Sequence, residues 1–450
     1  MAEIDRNRLG RALAEEQHRF VEDHPRSQAL FEEAKASLLD GVPMNWMVRW
    51  AGAFPIFVRE AKGAHFTDVD GHNYVDLCLG DTGAMTGHAP EEAIGPIVER
   101  LRRGTTFMLP TEDSIRVGAE LQRRFGLRYW QVALTATDAN RFAIRLARQI
   151  TGRSKILVHN WCYHGSVDET IVTLQNGAPG PKPGNIGPAV DPALTTKVVE
   201  INDVPALEAA LEAGDVACVL AEPALTNIGI VHPEPGYHAA LREISRRTGT
   251  LLIIDETHTI CAGPGGYTKA YGLEPDMLTI GKPIASGVPA AVYGFTSEIA
   301  ERIRAAMDLQ TADTGGIGGT LAGNALSLAA IRATLESVLT EAAFAHTIAL
   351  AERFTAGVQA VIEERALPWH VTRLGCRAEY WFCPRPPRNG GEAAAAIDAE
   401  LDRYMHLAAL NRGILMTPFH NMALIAPQAT EADIDRHTTA FRESVEALVD

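Results

Sequence analysis

The stretch Leu251–Gly287, LLIIDETHTICAGPGGYTKAYGLEPDMLTIGKPIASG, contains two short apolar runs, Leu251–Ile254 and Met277–Ile280. Each has the length and composition of a strand buried on both faces. The first run stops at Asp255–Glu256 and the second at Gly281–Lys282, with a Gly-rich loop, Gly263–Gly266, between them. Ligands of open α/β sheets sit outside the carboxyl ends of the strands. The two strand ends therefore predict an acid and a lysine in one crevice. Either charge alone is commonplace; the pair, in this order, is informative.

Upstream, Trp130–Leu134, Lys155–His159, Lys197–Glu200 and Ala217–Ala221 read as strands, and Arg141–Thr151, Val204–Ala213 and Gly236–Thr248 as helices. This alternation, from about residue 130 to 280, predicts an α/β fold with a mostly parallel sheet and helices on both faces. Thr135-Ala136-Thr137-Asp138-Ala139-Asn140 lies where a strand turns into a helix. Its hydroxyls and free N–H groups suit a phosphate, and equally an ordinary N-cap. Asn160-Trp161-Cys162-Tyr163-His164-Gly165 ends the next strand. Tyr163 can cover a flat ring, or pack under the loop. His159, Cys162 and His164 have ligating atoms but no second cluster, so no metal site is expected. A lysine for a Schiff base and a carboxylate for a pyridinium nitrogen are the two requirements of pyridoxal 5'-phosphate.

At the N-terminus, Leu9–Leu39 reads as helix broken near Asp23–Pro25. The loop DGVPMNWMVRW sets Trp46 and Trp50 beside Arg49, either as a substrate rim or as a packing arm against another subunit. Phe57–Leu79 reads as a hairpin turning at Asp70–Gly71. Pro90–Gly104 reads as a helix burying Ile94, Ile97, Val98 and Leu101, and Glu112–Phe125 as a helix capped by Thr111. Asn176–Pro188, rich in Gly and Pro, reads as an exposed loop, and Gly315–Asn324 as a second Gly-rich loop. From about Val371 the chain becomes α+β, with a strand at Ala378–Phe382, a helix at Glu392–Asn411 and a final helix at Glu431–Leu448. The expected domains are 1–75, an N-terminal segment packing with the small domain; 76–325, the large domain; and 326–450, the C-terminal small domain.

The 450 residues are 46% hydrophobic, enough for a large core in two domains. A formal charge of -15 argues against a nucleic-acid surface. Six cysteines form no CxxC pair, as expected of reduced thiols in a cytoplasmic protein. No apolar stretch approaches a membrane span of about eighteen residues, and the charged N-terminus is not a secretory signal.

With these motifs in order, the chain resembles the class III aminotransferases of PLP fold type I, near the branch of glutamate-1-semialdehyde aminomutase and the β-amino-acid transaminases. The resemblance runs from AKGAHFTDVDGHNYVD to the ADID segment near the end. It implies a large PLP-binding domain and a smaller α+β domain built from both chain ends. It implies that Lys282 forms the Schiff base and shuttles a proton, and that Asp255 pairs with the pyridinium nitrogen. The family's S-G-T-E-A phosphate stretch corresponds to Thr135-Ala136-Thr137-Asp138-Ala139, a departure that keeps a hydroxyl and backbone N–H groups. Y-H-G is intact at Tyr163-His164-Gly165, and E-P is Glu222–Pro223. The G-T loop, which reaches the phosphate across a homodimer interface, corresponds to Gly319–Thr320. His258 departs from the family, which has Gln, Met or another residue near the cofactor's phenolic oxygen. Arg49 stands where aminomutase-like members hold the substrate carboxylate, though Trp46–Met47 replace their Ser-Pro. Arg377 and Glu379 read as a structural ion pair before a ligand site. The implied activity is amino transfer between an amine or amino acid and a keto acid or aldehyde. The alternatives are a 2,1-aminomutase, a racemase, a non-catalytic regulatory relative and, outside the class, a nucleotide-dependent dehydrogenase. Against the last, no G-x-G-x-x-G follows the first strands.

Overall fold

The structure is a computed structural model and describes residues 4–308 and 315–449. Residues 1–3, 309–314 and 450, which the expected domains take in, lie outside the described residues. The chain divides into two compact units. One comprises Met1–Pro90, Ala342–Pro386 and Ala396–Asp450; the other comprises Glu91–Glu341 and Pro387–Ala395. The divisions fall after Pro90 and Glu341 rather than at 75 and 325. Residues up to 90 stay with the N-terminal hairpin, because the backbone of His88 pairs with that of Gly63. The helix that follows residue 325 stays with the second unit, because it packs on that unit's first two helices.

The second unit is built on a seven-stranded sheet. Its strands are β1 (Tyr129–Ala133), β2 (Lys155–His159), β3 (Thr196–Val199), β4 (Val216–Ala221), β5 (Leu251–Asp255), β6 (Met277–Ile280) and β7 (Ala291–Phe295). The order across the sheet is β1-β7-β6-β5-β4-β2-β3. All neighbours are parallel except β7, which runs antiparallel to both β6 and β1. Every residue of β4, β5 and β6 is buried, which is why these strands read as unbroken apolar runs. β5 and β6 are adjacent, with Asp255 opposite Thr279, so the residues just past each strand share one edge of the sheet.

The helices that matter for the site are α1 (Glu91–Arg102), α2 (Asp113–Phe125), α3 (Ala136–Thr151), α4 (Tyr237–Thr248) and α5 (Ala325–Ala333). α3 begins at Ala136 rather than Arg141, because Thr135 caps it and Thr135-to-Asn140 forms its entry and first turn. α1 buries Ala93, with Ile97 packed beside it on Ala333 and Val338, while Val98 and Leu101 are exposed, so the expected stripe is rotated. α2 starts one residue past Glu112, and no side chain caps it. Val172–Gln175 and Ala178–Pro181 form a hairpin in place of the expected loop.

The first unit holds a four-stranded sheet, Val58–Lys62, His65–Asp68, Asn73–Asp76 and Ile414–Leu415, and a three-stranded sheet, His370–Leu374, Arg377–Trp381 and Met422–Leu424. The N-terminal helices Arg6–Asp23 and Pro25–Ala34 break at His24, as expected. Phe20, Phe54, Phe66, Tyr74, Leu407 and Leu410 form one core cluster there. The expected helix Glu392–Asn411 is two helices, Gly390–Ala395 and Ala399–Asn411, because Asp398 caps the second. Among the described residues, no helix is long and apolar enough to cross a membrane.

Candidate active site

The carboxylate of Asp255 sits at the end of β5, buried, and is held on both oxygens. Oδ1 accepts from the backbone N–H of Thr257 at 3.0 Å. Oδ2 accepts from Asn140 Nδ2 at 2.8 Å and from His164 Nδ1 at 2.9 Å. Asn140, on α3, is locked in turn by donating to the carbonyl of His164 at 3.1 Å and accepting from Thr279 Oγ1 at 2.7 Å. Burial alone would raise the Asp255 pKa. The hydrogen bond and charge of His164, with Thr257 and Asn140, outweigh it and bring the pKa down to about 2. Burial opposes a charge on His164, but Cys162 and Asp255 outweigh it, and the pKa stands well above the ordinary value. Asp255 is therefore a fixed carboxylate inside the protein, paired with the His164 imidazolium.

Lys282 follows β6 and is half-buried. Its φ is +48°, in the left-handed region that a residue before proline avoids. Gly281 permits this approach. A Cβ there would lie 2.9 Å from Ala136 Cβ and 3.1 Å from Ala136 N. The Gly281 N–H donates to Thr257 Oγ1 at 3.2 Å, tying the two strand ends together. Nζ of Lys282 lies 2.6 Å from Nε2 of His258, which is buried. Glu256, beside Asp255, has a different task. Its carboxylate accepts from Thr259 Oγ1 and from the N–H groups of Tyr267 and Thr268, and so shapes the Gly-rich loop.

At the N-terminus of α3, Thr135 Oγ1 accepts from the Asp138 N–H at 3.1 Å and donates to Asp138 Oδ2 at 3.0 Å. Thr137 Oγ1 accepts from the Ser166 N–H at 3.0 Å. Ala136 and Thr137 occupy the first turn, where N–H groups have no partner within the helix. Gly165 is needed beside them: its φ is +81°, and a Cβ would collide with Thr137 Oγ1. Tyr163 is half-buried, and its N–H donates to Glu222 Oε1 at 3.2 Å. Glu222 is buried, and its other oxygen accepts from Thr226 Oγ1 at 2.6 Å and N at 3.1 Å. Thr320 is exposed in this chain. The structure thus brings Asp255, His258, Lys282, Thr135–Thr137, Tyr163 and Glu222 onto one unit. The anchoring roles of Asn140 and His164 were missed by the sequence reading.

In the other unit, the guanidinium of Arg49 lies 4.9 Å from the centroid of the Phe419 ring. Trp46 meets the same ring edge-on, with centroids 5.6 Å apart. Arg377 and Glu379 are buried. Arg377 donates to Thr82 Oγ1, and Glu379 accepts from His420 Nδ1 at 2.8 Å. That contact fixes the residue next to Phe419.

A buried carboxylate kept ionised, a primary amine on the next strand and the open first turn of a helix suit pyridoxal phosphate as a donor set. Fold and site define a pyridoxal-phosphate-dependent enzyme of fold type I. Residues 46–444 match the family model Aminotransferase class-III, and the chain belongs to that family, whose cofactor is pyridoxal phosphate. It is 32% identical over 425 residues to a glutamate-1-semialdehyde 2,1-aminomutase of Anaeromyxobacter dehalogenans, covering 92% of this chain and 96% of the relative. Among solved structures, a glutamate-1-semialdehyde aminomutase of Pseudomonas aeruginosa PAO1 is 51% identical, covers 99% of both chains and superposes with a TM-score of 0.97. A lysine-to-alanine variant of it is a complex with PMP. A β-phenylalanine aminotransferase of Variovorax paradoxus is 26% identical over 97% of both chains, with a TM-score of 0.87. The family match replaces the nucleotide-dependent dehydrogenase alternative.

Proposed function

We propose that the protein moves an amino group between an amine or amino acid and a keto acid or aldehyde, with Lys282 as the covalent and proton-moving residue. The observation that carries this reading is the ionised Asp255 carboxylate at the end of the strand beside the one that delivers Lys282. Bound pyridoxal phosphate supplies an electron sink for bond breaking at the carbon that carries nitrogen. Asp255 would hold the proton on the pyridinium nitrogen, and the Asn140 and His164 hydrogen bonds keep its carboxylate aimed. The amine of Lys282 would hold the cofactor and, once free, would serve as the base and acid that moves a proton between carbons. The N–H groups of Ala136 and Thr137 would receive the phosphate and Tyr163 would cover the ring, while Thr135 fixes that turn, Glu222 sets the Tyr163 backbone, and His258 lies beside the lysine. Thr320 of a second copy completes the phosphate seat in a homodimer. Arg49 takes the substrate carboxylate in bidentate fashion, with Trp46 and Phe419 forming an apolar wall. The protein works in the cytoplasm.

A second reading, a 2,1-aminomutase, is favoured by the 51% identity to an aminomutase. A donor–acceptor screen separates the two. Amino acids are added to the loaded protein, and cofactor absorbance and released keto acid are followed together. Conversion to the amine cofactor with a stoichiometric keto product supports transamination. An isomerised product with no net keto acid overturns it in favour of the mutase.

A further inference from the structure

His258 is the third residue after Asp255, and Lys282 the second after β6. Their Nε2 and Nζ atoms lie 2.6 Å apart. Two nitrogens at that distance hold one hydrogen between them, because two N–H groups, or two like charges, cannot face each other so closely. With an ammonium on Lys282, Nε2 presents a lone pair and the imidazole proton is on Nδ1. Both residues are fixed at the root. The turn carrying His258 is closed by Ile260 N–H donating to the Glu256 carbonyl at 2.9 Å and by Thr259 Oγ1 on the Glu256 carboxylate. Lys282 is set between Gly281, which is packed on Ala136, and Pro283.

We propose that His258 is the proton acceptor that frees the Lys282 amine for bond formation. This rests on the reading that Lys282 carries the cofactor. One N–H bond of the ammonium breaks, its electron pair stays on Nζ, and the proton passes to Nε2. The imidazolium returns the proton when the lysine is released. The pair carries one positive charge throughout, so the step moves no net charge into or out of the site. An amine must hold its lone pair to attack a carbonyl, and the imidazole of His258 is in contact and can receive the displaced proton.

The test uses the apoprotein. Pyridoxal 5'-phosphate is added, and attachment at Lys282 is followed by absorbance, borohydride reduction and peptide mass. In parallel, trace acylation at pH 7 compares Lys282 with exposed Lys269. In His258→Gln, which can accept a hydrogen bond but not retain the proton, both attachment and acylation of Lys282 are expected to slow about a hundredfold, with Lys269 unchanged. In His258→Ala, added imidazole is expected to restore attachment. Wild-type rates in His258→Gln would overturn the proton role, and would leave His258 a positioning residue if only His258→Leu were slow. If pyridoxal phosphate failed to attach to Lys282 in the wild-type protein, the proposed function would fall and with it the role of His258 in attachment, and acylation still dependent on His258 would leave only the proton contact between the two side chains.

Discussion

Asp255 is charged in the interior because three neighbours stabilise the charge, and each neighbour is itself fixed. Asp255→Asn removes the negative partner of His164 and leaves a buried cation uncompensated. It is expected to destabilise the protein at pH 7 by about 3 kcal/mol, measured by denaturant unfolding of the apoprotein, and to lower amino transfer by more than about a hundredfold. The sign with pH follows from a depressed folded-state value. The Asp255 contribution is full above the unfolded carboxyl pKa of about 4 and is lost as pH falls through about 2. The share of the stability gap that Asp255 ionisation supplies is therefore expected to persist down to about pH 4 and to shrink below it, while the His164 share grows as pH falls from 7 through about 6.5. An unchanged gap at pH 2.5 would contradict the ion-pair origin. Asp255 and Lys282 were legible in the sequence because each ends an apolar run. Asn140 and His164 were not, because they reach Asp255 from 115 and 91 residues away in the chain. His258 was marked only as a departure from the family, and its partner became visible from the position of Lys282.

At the level of elements, the junction of β6 with α3 sets where the lysine starts. Gly281→Ala places a methyl group against Ala136, whose N–H we assign to the phosphate. It is expected to cost about 1–3 kcal/mol and to weaken cofactor affinity more than it weakens the fold, read by thermal unfolding of the apoprotein and by cofactor titration. Affinity unchanged with stability reduced would detach this junction from the phosphate seat. Buried parallel strands were legible because both faces are apolar. β7 was not read, because the pattern of alternating strands and helices leaves no place for an antiparallel insertion between β6 and β1. The second strand of the hairpin, Ala178–Pro181, fell inside the expected loop Asn176–Pro188, although Asn176–Gly177, with φ of +52° and +81°, carries the turn signal. The face of α1 was misread because Ala93 and Ile97 meet α5, and packing between distant elements chose among two apolar stripes.

For the whole molecule, the unit bearing Lys282 exposes Phe107, Met108, Leu109 and Ile115 at 44%, 79%, 71% and 74%. This apolar surface is larger than single scattered residues require. The segment adjoins the Gly-rich loop of Thr320, since the Ala325 N–H donates to the Thr105 carbonyl at 2.9 Å. We propose that this surface is where the homodimer forms, with the Thr320 loop beside it. Light scattering is expected to give twice the 48.6 kDa of one chain, and Met108→Glu with Leu109→Glu to shift it toward the monomer and weaken cofactor binding together. A monomeric wild type with full cofactor affinity would contradict the shared site. The fold class was legible at this scale because composition and strand–helix order bound it, whereas the limits of the two units depend on contacts between residues far apart in the chain.

The most direct measurement is on Lys282 itself. Wild type and Lys282→Ala are loaded with pyridoxal 5'-phosphate, reduced with borohydride, digested and weighed peptide by peptide. The expected result is a phosphopyridoxyl mass on the peptide containing Lys282 in the wild type, with the protein-bound absorbance lost on reduction, and neither signal in the variant. The same adduct and absorbance in Lys282→Ala, or an adduct on another lysine of the wild type, would contradict the assignment of the active site.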